Sequence, residues 1–139
     1  MLDYTFKTHE QKETAGFGRF VVPYLSVQSV ITLSGDLGAG KTTFASGVAA
    51  GLGIHEHVIS PTFDAYRLED GNKDLGLEEF IEGNGITLIE WPQFINKLIP
   101  ANALHIVIRN LGGDEREIHV STTNVAYEKM FNNMKEIYQ

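Results

Sequence analysis

The sequence predicts an α/β domain of three layers, with a mainly parallel central sheet and an antiparallel C-terminal hairpin. Three observations lead there. Residues 29–34 and 85–91 are short apolar, β-branched runs of the kind found in strands buried on both faces. Apolar residues recur with helical spacing before and after the first of these runs. Residues 104–109 and 117–122 form two further strand runs around the turn signal Gly112, Gly113 and Asp114. Strands alternating with helices favour parallel pairing, and a final pair separated by a short turn favours a hairpin.

Taken in order, residues 2–6 alternate weakly and suit an edge strand. Thr8 with Gln11 three residues on fits a capping box, in which each side chain satisfies the other residue's free backbone donor. Phe17, Phe20, Val21 and Tyr24 then fall on one helical face, with Pro23 near the end of the helix and Gly16 and Gly18 inside it. The strand at 29–34 runs into a glycine-rich turn. Phe44, Val48 and Leu52, with Ala45 and Ala49 beside them, mark a helix from Lys41 that Gly51 or Gly53 can stop. A turn at Pro61, an extended stretch to Leu68 and a short helix over 76–82 follow. After the hairpin, residues 124–139 read as an amphipathic C-terminal helix.

The length of 139 residues and the 42% hydrophobic content suit one domain over residues 1–139, large enough to fold without staples. There is no cysteine, which excludes disulfides and cysteine-ligated metal centres and agrees with a reducing compartment. No apolar run approaches the roughly twenty residues that cross a bilayer, and the first residues lack signal-peptide character. The expectation is a cytoplasmic protein without a membrane partner. Net charge is −7, from 18 acidic and 11 basic residues, and no basic stripe is visible. A DNA-gripping surface is therefore not expected, and any RNA would be held largely by a partner.

Gly35, Asp36, Leu37, Gly38, Ala39, Gly40, Lys41 and Thr42 satisfy the pattern G-x-x-x-x-G-K-[ST], with Thr43 next in the same turn. This is the Walker A, or P-loop, arrangement, and its chemistry explains each fixed position. Glycines let backbone N–H groups close around phosphate oxygens, and Gly38 suits the same approach. Lys41 brings a charge to the β- and γ-phosphates, and the Thr42 hydroxyl can ligate Mg²⁺. The helix that starts here aims its N-terminus at the anion. A strand before the loop and a helix after it are the context the motif needs, so the fold expected is that of a P-loop nucleoside triphosphatase.

Such a site also needs a carboxylate near the metal and a group that positions water or senses the γ-phosphate. Two stretches offer them. One holds Ser60, Pro61, Thr62, Phe63, Asp64, Tyr66, Arg67 and Leu68; the other ends a strand with Glu90, Trp91 and Pro92. A carboxylate at a strand's C-terminal end lies where open α/β sheets bind ligands. Taken singly, Asp64 also suits a turn, Glu90 a strand-end surface charge, Trp91 a core and Arg67 an ion pair. His55 and His57 have no third ligand placed beside them by the sequence and read as surface residues.

The ordered series G-D-L-G-A-G-K-T, S-P-T-F, F-D-x-Y-R-L, G-L-E-E-F and I-E-W-P resembles the TsaE (YjeE) family over most of the chain. The resemblance implies a bacterial Mg²⁺-dependent ATPase required for threonylcarbamoyladenosine in tRNA. Such proteins work with the TsaB–TsaD transferase pair and touch tRNA indirectly. Their hydrolysis is slow alone and stimulated by partners. By resemblance Lys41 and Thr42 bind phosphate and Mg²⁺, and Thr62 is a switch threonine answering to the γ-phosphate. Asp64 and Glu90 are the metal-binding or water-positioning acids, with Trp91 beside the nucleotide or a partner.

Two departures from the family pattern stand out. Gln93 follows Glu90, Trp91 and Pro92 where the family commonly has a second glutamate. Between Thr62 and Asp64 the family has a longer connection, and here the two motifs share Phe63. Either the loop is short in this protein or a mobile loop is absent from the sequence; omission is the expectation.

Other functions fit less well. A small P-loop kinase acting on a metabolite would want a lid rich in arginine. Arg19, Arg67, Arg109 and Arg116 are the only arginines, and no two are close in sequence. A GTPase would show N-K-x-D, which Asn72, Lys73 and Asp74 fail to complete. A non-catalytic module shaped by ATP would differ from the ATPase in showing no hydrolysis with partners present.

Overall fold

The computed structural model describes residues 1–26, 29–35, 39–53, 86–90 and 101–139, with Glu90 as backbone only. The first strand, β1 (Leu2–Thr8), leads into helix α1 (Gln11–Val21) and a 3-10 turn at Val22–Tyr24. Then come β2 (Val30–Gly35), helix α2 (Lys41–Gly51), β3 (Thr87–Glu90), β4 (Leu104–Gly112) and β5 (Glu115–Thr122). A second 3-10 turn at Val125–Tyr127 runs into helix α3 (Glu128–Ile137). The predicted helix over 76–82 and the stretch from Pro61 to Leu68 lie outside the described residues.

The sheet runs β1-β5-β4-β2-β3. Its centre, β3-β2-β4, is parallel, with Leu33 opposite Glu90 on one side and Ile106 on the other. The hairpin β4–β5 is antiparallel as expected, and β1 adds to it antiparallel along its whole length, at the edge. Among the described strands, parallel and antiparallel pairings are therefore equal in number.

One face of the sheet carries Phe6, Ile31, Leu33, Leu104, Ile106, Ile108, Ile118 and Val120. These form one cluster with Phe17 and Val21 of α1, Phe44 and Val48 of α2, and Met130, Phe131 and Met134 of α3. The period-2 alternation along each strand feeds this core. On the opposite face Val30, Thr32, Thr87 and Ile89 are buried as well, so β2 is withdrawn from solvent on both sides, while β3 is buried on this face and half-buried at Leu88 on the other. That matches the largely apolar, β-branched character of their sequence runs.

Helices α1 and α2 touch through glycine. A Cβ on Gly18 would lie 2.3 Å from the Phe44 carbonyl oxygen, and one on Gly47 would lie 2.0 Å from that of Ala15. The glycines that weaken α1 by propensity therefore include one that sets its distance from α2.

The capping box at Thr8 and Gln11 is not formed. Thr8 ends β1, its hydroxyl 2.7 Å from that of buried Thr14, and the N-cap is Glu10. Glu13 instead accepts from the His9 N–H at 2.6 Å, so the acidic residue of the first turn still satisfies a donor, one position earlier.

Candidate functional site

The site is centred on the passage from β2 to α2. Gly35 closes β2 with φ at +149°, and a Cβ there would come within 2.2 Å of the Ile108 carbonyl oxygen on β4. Both conformation and space demand glycine. At the far end, Gly40 is the N-cap of α2 with φ at +104°, where conformation alone demands it. Its carbonyl accepts from Phe44 N at 2.9 Å and so closes the first turn. The N–H groups of that turn have no intrahelical acceptor by construction, and the helix dipole adds positive potential there.

Lys41 is the first residue of α2, and its ammonium donates to the Gly35 carbonyl at 2.8 Å. The lysine thus reaches back across the loop's two ends. Thr42 is exposed in the first turn; Thr43 is half-buried, 3.5 Å from Gln11 Nε2 of α1. Ala39 is fully buried, anchoring the loop in the core. Asp36, Leu37 and Gly38 lie outside the described residues.

The backbone of Glu90 ends β3 opposite Leu33, two residues before Gly35 on the neighbouring parallel strand. At about 3.3 Å per residue, that strand end is level with the approach to the loop. Thr62, Asp64, Arg67 and Trp91 lie outside the described residues, as do His55, His57 and Gln93.

One residue near the loop was not singled out by the sequence. Arg116, on β5, donates from Nε to the Ala39 carbonyl at 2.7 Å. Its Nη1 lies 3.1 Å from Asn110 Oδ1, 2.7 Å from the Gly113 carbonyl and 2.8 Å from that of Glu115. Arginines scattered along the chain offered no reason to look for one here. The signal lay in the hairpin, whose turn at Gly112 and Gly113 folds β5 back beside β4 and brings Arg116 to the loop. Arg109 instead pairs with Glu117 across the hairpin at 3.2 Å. No helix among the described residues is long and apolar enough to cross a membrane.

Comparison with known proteins agrees with this architecture. The family model "Threonylcarbamoyl adenosine biosynthesis protein TsaE" matches residues 8–64 and 63–118. A relative from Bacillus subtilis (strain 168), named tRNA threonylcarbamoyladenosine biosynthesis protein TsaE, is 39% identical over 146 positions, covering 94% of this chain and 92% of its own. One of the same name from Treponema pallidum (strain Nichols) is 36% identical, covering 79% of this chain and 94% of its own. The solved structure "Crystal structure of Bacillus subtilus YdiB" superposes with a TM-score of 0.78 at 32% identity, covering 97% of this chain and 95% of that one. The 146 aligned positions exceed the 139 residues of this chain, so the Bacillus relative carries residues within the aligned span that are lacking here. The two stretches matched by the family model meet at Phe63 and Asp64, where the sequence brings its two motifs together. From the ordered motifs, the matched family model and the shared fold, the chain belongs to the TsaE family.

Proposed function

We propose that this protein binds Mg²⁺–ATP at the loop of residues 35–42 and hydrolyses it in support of threonylcarbamoyladenosine formation in tRNA, together with the TsaB–TsaD pair. The observation that carries the reading is the joint between β2 and α2. Two glycines at positive φ bracket the loop, and Lys41 opens the helix with its ammonium turned back over the loop. Family membership and the names of the relatives support the link to tRNA modification.

The residues suit the expected groups. The first turn of α2 offers backbone donors and a helix dipole to an anion, and Lys41 can exchange the Gly35 carbonyl for phosphate oxygen. The exposed Thr42 hydroxyl is a hard oxygen ligand, and the carboxylates of Asp64 or Glu90 would complete a set that suits Mg²⁺. When bound, Mg²⁺ supplies charge neutralisation at the β- and γ-phosphates. The protein's own part is to hold the triphosphate through Gly40, Lys41 and Thr42 and to orient water by a carboxylate, with Thr62 answering to the γ-phosphate. Positioning and charge then carry the reaction without a covalent intermediate.

Titration of the purified chain with Mg²⁺–ATP, alongside Lys41→Ala, tests this. Losing a charged donor to phosphate should weaken binding by about 1.5–3 kcal/mol. Equal affinity in the two proteins would remove Lys41, and with it the loop, from the nucleotide site.

A further inference from the structure

We propose that Arg116 is a positioning residue for the phosphate loop, orienting and polarising the peptide unit between Ala39 and Gly40 from behind. This role presupposes nucleotide binding at residues 35–42.

A single peptide group joins Arg116 to the loop. Arg116 Nε donates to the Ala39 carbonyl at 2.7 Å, a short contact for a donor carrying charge. That carbonyl and the N–H of Gly40 belong to one peptide unit, and no peptide among the described residues is cis. In a trans unit the two groups point in opposite directions. The carbonyl faces the hairpin, so the Gly40 N–H faces away from it, toward the side on which a loop of this kind receives phosphate. A cation on the carbonyl draws electron density from the nitrogen and makes that N–H a better donor.

The anchor behind it is firm. Nη1 of Arg116 is engaged by Asn110 Oδ1 and by the carbonyls of Gly113 and Glu115, at 2.7–3.1 Å. Asn110 Oδ1 also accepts from Gly112 N at 2.8 Å, which ties the same cluster to the bulge in the hairpin. Arg116 is half-buried, and a Cβ on Gly40 would sit 3.5 Å from its Nε, so the side chain lies directly against the loop. A lysine would keep the charge but lose the rigid fork that serves loop and hairpin at once. The guanidinium thus links the loop's orientation to the hairpin turn.

The test uses the full chain with Arg116→Lys, and Arg109→Ala as a control on the same hairpin. Three quantities are read: the Gly40 amide resonance without nucleotide, the affinity for Mg²⁺–ATP, and KM against kcat for hydrolysis. Arg116→Lys should shift the Gly40 amide proton upfield, and both Kd and KM should rise about tenfold with kcat nearly unchanged, because an interaction serving bound substrate and transition state alike is lost. Arg109→Ala should leave all three at wild-type values. Unchanged affinity and an unmoved Gly40 resonance in Arg116→Lys would overturn the role, even if melting temperature fell, since only hairpin packing would then be at stake. If wild type binds ATP and Lys41→Ala does not, while Arg116→Lys binds normally, the positioning role alone falls. If wild type binds no nucleotide, the site reading falls first and this role with it.

Discussion

Replacing Gly47 by alanine tests how α2, and with it the loop at its start, is held. In an isolated helix the change should stabilise by about 1 kcal/mol, because alanine is the better helix former. Here the new Cβ would lie 2.0 Å from the Ala15 carbonyl oxygen, 2.8 Å from its carbonyl carbon and 3.1 Å from its Cα. All three are backbone atoms of α1, so no side chain can turn aside. The helices must separate by roughly 1 Å, loosening Phe17 and Val21 against Phe44 and Val48, and overpacking of this kind costs about 1–3 kcal/mol. With the upper end appropriate to a backbone clash, the net loss is about 2 kcal/mol. For a domain of this size that lowers Tm by about 8 °C. Gly16, in the same helix as Gly18 but with open space within 4 Å of where a Cβ would stand, is the control: Gly16→Ala should stabilise by up to about 1 kcal/mol. Urea and thermal unfolding of both variants decide it. A Gly47→Ala protein as stable as Gly16→Ala would refute the close α1–α2 contact.

Two further outcomes are expected. Glu90→Ala should keep nucleotide affinity and lose most hydrolysis, measured by phosphate release under saturating ATP; normal turnover would take Glu90 off the list of acting residues. His105, bonded at 2.7 Å to Thr32 Oγ1, has its pKa lowered from 6.5 by burial. In the unfolded chain it takes up a proton first, so its contribution is full above pH 6.5 and is lost as pH falls through the lower folded value. Denaturation of His105→Gln should accordingly show a flatter fall in stability below pH 6.5 than wild type; parallel curves would show that the imidazole plays no part.

Much of the frame was legible from residue patterns because it depends on local chemistry. Lys41 as the start of α2 follows from the motif and is observed; of the two glycines offered as its stop, Gly51 is the last helical residue and Gly53, at φ +79°, takes the left-handed position just past the Leu52 cap. The strand runs at 104–109 and 117–122 are found but extend further, to Gly112 and from Glu115, because ladder bonds continue into polar residues around the turn. The C-terminal helix starts only at Glu128, after Asn124 caps a 3-10 turn by accepting from Ala126 N. What stayed hidden depends on long-range contact. Nothing local to Gly18 or Gly47 reveals that another backbone passes beside them. Thr8 looks like a cap in sequence, but β1 pairs with β5 as far as Thr8 and Arg116, and so claims it for the sheet. Arg116 is separated from Ala39 by most of the chain, and only the strand order brings the two together.

The proposed link is that of nucleotide turnover at the loop to tRNA modification. Its most direct test is ATP hydrolysis by wild type and Lys41→Ala, each with and without the TsaB–TsaD pair, followed by threonylcarbamoyladenosine content of tRNA from the same reactions. Hydrolysis should rise with the pair, and modification should require this chain with Lys41 intact. Hydrolysis indifferent to the pair, with modification equally complete when this chain is left out, would contradict it.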